Sequence, residues 1–168
     1  MGWGWRISAA ISARTRSCAG VSTNGRRLGS GFVLSVDYGH AARELYNERH
    51  LRGTLLAYSR HRASEEYYAA PGEQDLTAHV NFSALELAGR RVGLEPLGPV
   101  SQSSFLLALG RGNDFADLYE DGQSEAGRVH SRLLLKTLIF PEGMGETFKV
   151  FVQQKGVPEA ELTGLQPL

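Results

Sequence analysis

The run Gly31-Phe-Val-Leu-Ser-Val-Asp-Tyr-Gly-His40 constrains the fold more than any other stretch of the chain. A short apolar segment ends abruptly in an acid, a phenol, a glycine and an imidazole. Near-continuous apolar character of this kind belongs to a strand buried on both faces, the habit of a central strand in a parallel sheet. Such a strand delivers its last side chains to the rim of an open α/β sheet, where ligands bind outside the carboxyl ends of the strands. Residues 32–36 are expected to form the strand. Asp37, Tyr38 and His40 become candidate catalytic residues, with Gly39 as a bend that permits a positive φ. An Asp and a His this close can act as base and orienter, or can clamp a cationic substrate. The plainer alternative is that Asp37 caps a turn and His40 is a solvated surface group.

The chain has 168 residues, enough for one domain with a real core. Its charge is balanced overall, at 18 Lys+Arg against 18 Asp+Glu, but unevenly placed. Residues 1–36 hold Arg6, Arg14, Arg16, Arg26 and Arg27 and no acid, so the remainder carries a net negative charge. That argues against a nucleic-acid face on the body of the chain. No apolar run approaches a membrane span. Cys18 stands alone, which excludes a disulfide framework and a thiolate metal cage and suits a reducing, cytoplasmic compartment. The Arg- and Ser-rich start has the style of a transit peptide, which would place the protein in the mitochondrial matrix. Its glycines weaken any amphipathic helix, and residues 1–24 are expected to be a disordered, unmatched leader.

Downstream the pattern alternates between short strands and helices. Residues 24–30 read as a helix end with a glycine stop. Residues 41–50 suit a helical turn or two, 51–58 a strand, and 64–70 a short helix closed by Pro71-Gly72. Asn81 or Ser83 can cap a helix over 84–92. Residues 94–100 suit a strand broken by Pro96 and Pro99. Ser103 or Ser104 would open a helix ending at Gly110. Residues 114–120 and 124–139 look helical. Residues 146–153 alternate as a strand, and the tail from Gly156 is expected to fray. This order describes the second half of an open α/β sheet.

Other chemistry-bearing residues are scattered. His50, His61, His79 and His130 lack ligand spacing and no Cys assists them, so no metal is expected. Arg49, Arg52, Arg60, His61 and Arg62 could hold a phosphate or a carboxylate, or simply form a solvated face. Gly110-Arg-Gly112 lacks the third glycine of a cofactor loop, and Ser30 precedes a strand where a nucleophile elbow would follow one.

Five blocks, taken in order, resemble the MidA-like S-adenosylmethionine-dependent methyltransferases, the complex I assembly family. They are Val36-Asp-Tyr-Gly-His40; Leu51-Arg-Gly-Thr-Leu55 with Arg60-His-Arg62; Pro71-Gly-Glu-Gln-Asp-Leu-Thr-Ala-His-Val-Asn-Phe-Ser83; Leu97-Gly-Pro-Val-Ser-Gln102 with Phe105-Leu-Leu107; and Met144-Gly-Glu-Thr-Phe-Lys-Val150. The likeness runs from about residue 25 to 155, leaving 156–168 as a tail. It implies a class I, Rossmann-like α/β fold in which residues 31–36, 94–100 and 146–153 are the fifth, sixth and seventh strands, the seventh running antiparallel. Residues 41–78 would be an insertion covering the cleft. The implied activity is methyl transfer from S-adenosylmethionine to a protein arginine. Asp37, Tyr38 and His40 would be catalytic, and Arg52, His61, Asp75, Thr77 and His79 would bind substrate.

The family places its glycine-rich cofactor loop after the first strand and a ribose-binding acid after the second. Only 30 residues precede the Asp-Tyr-Gly-His strand, and none reads as such a loop. Asn81 stands where relatives carry aspartate. The expectation is therefore the carboxyl-terminal half of a methyltransferase domain, inactive alone. A missing amino-terminal half or a homodimer would complete it, with no nucleic-acid or membrane partner. The competing expectation is a non-catalytic assembly module that uses an exposed sheet edge. A His/Asp hydrolase is disfavoured for want of a nucleophile.

Overall fold

The computed structural model describes residues 14–60, 62–116, 124–157 and 161–167. It is a mixed α/β fold built on one sheet, with a small second sheet at the rim. Helix α1 (Arg14–Arg27) leads into strand β1 (Gly31–His40). The insertion follows, with helix α2 (Ala42–Leu45), a 3-10 turn at Glu48–His50, and strands β2 (Leu56–Ser59), β3 (Arg62–Ser64) and β4 (Asp75–Thr77). Strand β5 (Val80–Asn81) returns the chain to the main sheet and runs directly into α3 (Phe82–Arg90). Strands β6 (Glu95–Pro96) and β7 (Val100–Ser101), helices α4 (Gln102–Gly112) and α5 (Glu125–Ile139), and strand β8 (Phe148–Lys155) complete it. A last 3-10 turn spans Thr163–Leu165.

The main sheet is ordered β5-β1-β8-β6, with β7 also on β8. Strand β1 is antiparallel to β8 from Gly31↔Lys155 to Tyr38↔Phe148, and parallel to β5 only at Gly39↔Val80 and His40↔Asn81. The central parallel strand expected from its apolar run is thus paired mainly antiparallel. Its opposite edge carries no strand over residues 31–38 among the described residues. Apolar composition reports burial and not the direction of the partner; the antiparallel run of the last strand is what the family resemblance implies, and β8 bears it out.

Alternation gives the sheet two faces. On one, Phe151 packs with Val21 of α1, Phe82 and Leu85 of α3, Leu94 and Val80, and Val33 joins from β1. On the other, Val150 and Val152 of β8 are buried, yet their cross-strand neighbours Val36 and Leu34 remain 48% and 45% exposed. That face of β1 is half uncovered. A comparable apolar stripe lies exposed on α5, at Val129, Leu133 and Leu134.

Several expectations need correcting. Residues 14–24, assigned to a disordered leader, belong to α1, where Ser17 and Val21 are buried against the core. Only Val21 and Cys18 supply its apolar anchor, too faint a signal among so many polar residues; residues 1–13 lie outside the described part. The strand expected over 51–58 begins at Leu56, after a 3-10 turn, and the helix expected at 64–70 is replaced by β3 and turns. Helix α4 is capped by Ser101, whose Oγ accepts from the Ser104 amide 3.1 Å away, and it continues through Gly110. The tail does not fray throughout: Gly164 is buried, and a Cβ there would meet the Phe105 ring of α4. Of the helix expected at 114–120, residues 117–120 lie outside the described part.

Asn81 does cap α3, its Oδ1 accepting from the Ala84 amide at 3.0 Å. Ser83 is used differently, its Oγ accepting from the Ala42 amide and so tying α2 to α3. Replacing Asn81 by Ala should cost about 1 kcal/mol in urea denaturation.

Gln153 is 1% exposed on β8, and neither of its side-chain polar atoms has a hydrogen-bond partner among the described residues. Its amide lies against α3 where Gly89 leaves room: a Cβ at position 89 would come within 1.9 Å of Nε2. Burying an unpaired amide is costly, so Gln153→Met, close in shape, should raise stability by about 1–3 kcal/mol. Chemical denaturation at neutral pH measures it.

Candidate functional site

The rim of β1 gathers four rings from three places in the chain. Tyr38 and His40 come from the end of β1, two residues apart and so on the same face. His79 arrives at the junction of the insertion and β5. Its backbone amide donates to Thr54 Oγ1 at 3.1 Å. His50 arrives from the 3-10 turn. The His79 ring centroid is 5.5 Å from Tyr38, 5.2 Å from His40 and 5.9 Å from His50, and His40 and His50 are 6.0 Å apart. Phe148 closes the group from β8, edge-on to Tyr38 at 5.5 Å.

Glu44 on α2 serves two of these rings. Its carboxylate lies 3.5 Å from His40 Nδ1, and its carbonyl lies 3.1 Å from His50 Nδ1. His79 has no such support: Nδ1 is buried without a partner. Burial, and then the neighbouring His40 and His50, hold its imidazole below the ordinary value of 6.5. His79 is therefore a neutral ring in a ring-lined setting. Among the described residues no group of His, Cys, Asp and Glu is arranged to hold a metal ion.

Asp37 does not join this cluster. The strand runs on through His40, so alternation turns Asp37 away from Tyr38 and His40, to the face on which Val33 meets the core. It sits opposite Lys149 on β8 and accepts from the Tyr38 amide at 2.9 Å. Burial pushes its carboxyl above the usual carboxylate value, more than that hydrogen bond lowers it. Alternation thus separates Asp37 from His40, whose Nδ1 lies instead 3.5 Å from the Glu44 carboxylate.

Gly39 is also corrected. It is not among the glycines with positive φ, and its role is close approach, since an added Cβ would lie 2.1 Å from the Val80 carbonyl oxygen. Of the other candidates, Arg52 is 82% exposed and bonded to Glu65 at 3.1 Å. Asp75 and Thr77 lie on β4, paired in register with Tyr58 and Leu56, and Asp75 is exposed. His61 falls outside the described residues. His50 was missed as a site residue, because nothing in its spacing marks a contact made only in three dimensions.

The rim of a mixed α/β sheet, lined by rings, defines a class of ligand-binding domain. The family model described as "Putative S-adenosyl-L-methionine-dependent methyltransferase" matches residues 7–100, and the chain belongs to this family. Two solved structures are similar. One is an uncharacterized protein from Burkholderia thailandensis, 35% identical with a TM-score of 0.75, matched over 88% of this chain and 38% of that one. The other, from the same organism and described as a "likely methyl transferase", is bound to S-adenosyl-homocysteine. It is 35% identical with a TM-score of 0.76, over 88% of this chain and 37% of that one. The chain therefore spans well under half the length of these structures. No curated protein matches.

No helix among the described residues is long and apolar enough to cross a membrane.

Proposed function

We propose that this chain is the acceptor-side, carboxyl-terminal half of a MidA-like S-adenosylmethionine-dependent methyltransferase that modifies protein arginine. The observation that carries this reading is the similarity at 35% identity to a protein bound to S-adenosyl-homocysteine, over 37% of its length. The half-uncovered face of β1 and its unpaired edge suit a sheet that continues into further strands. Tyr38, His40 and His79 offer ring faces to a planar cation, which attracts guanidinium groups.

The described residues do not themselves fit the cofactor. Such a ligand is commonly held by free backbone amides where a strand enters a helix. Of the three described strand-to-helix junctions, Asn81 caps α3 and Ser101 caps α4, and at the four-residue α2 the Ala42 amide is taken by Ser83 Oγ. We therefore assign the groups that grip S-adenosylmethionine to residues other than those described, with a complementary half or a second copy as their source.

Calorimetry tests this. S-adenosyl-homocysteine titrated into the chain alone should give no saturable heat. Titrated into the chain co-expressed with the preceding part of the Burkholderia protein, it should bind one to one. Saturable binding to the chain alone would overturn the assignment. Stable co-purification without binding in either case would favour the alternative, an assembly module that docks through the β1 edge.

A further inference from the structure

We infer that the ring cluster at the rim forms an acid-released clasp, which fastens residues 54–79 of the insertion to the end of β1 while His79 is neutral and loosens when it is protonated. The start of the insertion is held separately, by the Ala42 amide donating to Ser83 Oγ. His50 stands at its start and His79 at its end, and both meet His40, which belongs to the sheet. Thr54 ties the same segment to the His79 amide. His79 thus has the His40 ring 5.2 Å and the His50 ring 5.9 Å away, neighbours that disfavour a charge on it.

The groups facing the cluster are few. Tyr38 and His40 face it from β1, His50 from the 3-10 turn, and Glu44 from α2. Glu44 is the one carboxylate shown against these rings, and it sits on His40, with Arg43 4.0 Å from its other oxygen. No carboxylate is shown against His79, and protonating it would place a buried N–H at Nδ1 with no partner among the described residues.

The sign follows from the same facts. A histidine whose folded value lies below 6.5 contributes stability above its unfolded value, and that stability is lost as pH falls through the folded one. Release therefore develops on the acid side of 6.5, and the segment that opens is the insertion, not the core beneath Phe151. The clasp does not depend on the methyltransferase reading.

Hydrogen exchange on the full chain, corrected for intrinsic rates, tests it at about pH 7.5 and about pH 5.5. Opening that takes up one proton deepens about tenfold per pH unit between 6.5 and the folded value of His79, and levels off below it. Peptides spanning residues 54–79 should lose protection by up to about tenfold, while peptides of β8 keep theirs. His79→Gln should flatten the loss. His50→Gln, at a partly exposed site, is the second variant and should keep the fold and lessen the loss. Equal protection of residues 54–79 at both pH values, or the same acid loss in His79→Gln, would overturn the clasp.

Discussion

Gly39→Ala should unfold or severely loosen the rim, at a cost of about 3 kcal/mol or more. The strain has no outlet in a side chain. The new Cβ would lie 2.1 Å from the Val80 carbonyl oxygen and 2.7 Å from its nitrogen, so backbone must move. Val80 is buried and is followed by Asn81, the cap of α3, and preceded by His79. Moving β5 away from β1 therefore disturbs a helix terminus and the ring cluster at one stroke. Urea denaturation gives the energy, and histidine ring resonances give the local effect. Gly29→Ala is the control: nothing lies within 4 Å of its added Cβ, and it should change stability by less than about 0.5 kcal/mol.

Phe151→Ala is the second large effect, with an expected loss of about 3–5 kcal/mol. Phe151 is 1% exposed and meets Phe82 edge-on at 5.9 Å. It is the centre of the cluster that joins α1, α3 and β8. Truncating it removes an aromatic contact and leaves a cavity that three elements would have to collapse into. Because Val21 packs in the same cluster, α1 should lose exchange protection together with α3. Leu133→Ala, on the exposed stripe of α5, removes comparable chemistry from a solvated site and should cost under about 1 kcal/mol. Similar losses for the two would mean that α5 is covered in solution.

What the sequence discloses follows from which forces are local. The alternation through Phe148, Val150 and Val152 announces β8, because period two is a property of the strand itself. Asn81 before an apolar periodic run announces a helix cap, because the bond spans only three residues. The direction of β1's partner and the burial of α1 through Ser17 and Val21 depend on chain far away in sequence. So does the meeting of His50 with His79. Asp37 shows the cost of stopping a pattern early. Treating residues 37–40 as a rim beyond the strand placed three side chains together, while the strand's own alternation through His40 separates Asp37 from the other two.

The bare edge of β1 has a practical consequence for handling the molecule. Among the described residues no strand pairs residues 31–38 on that side, which leaves a row of amides and carbonyls flanked by half-exposed Leu34 and Val36. A row of this kind is a template that any extended segment can join. The purified chain should therefore be prone to self-association through that strand, with turbidity rising with protein concentration. A charged substitution such as Val36→Lys should improve its solubility while sparing the core on the opposite face.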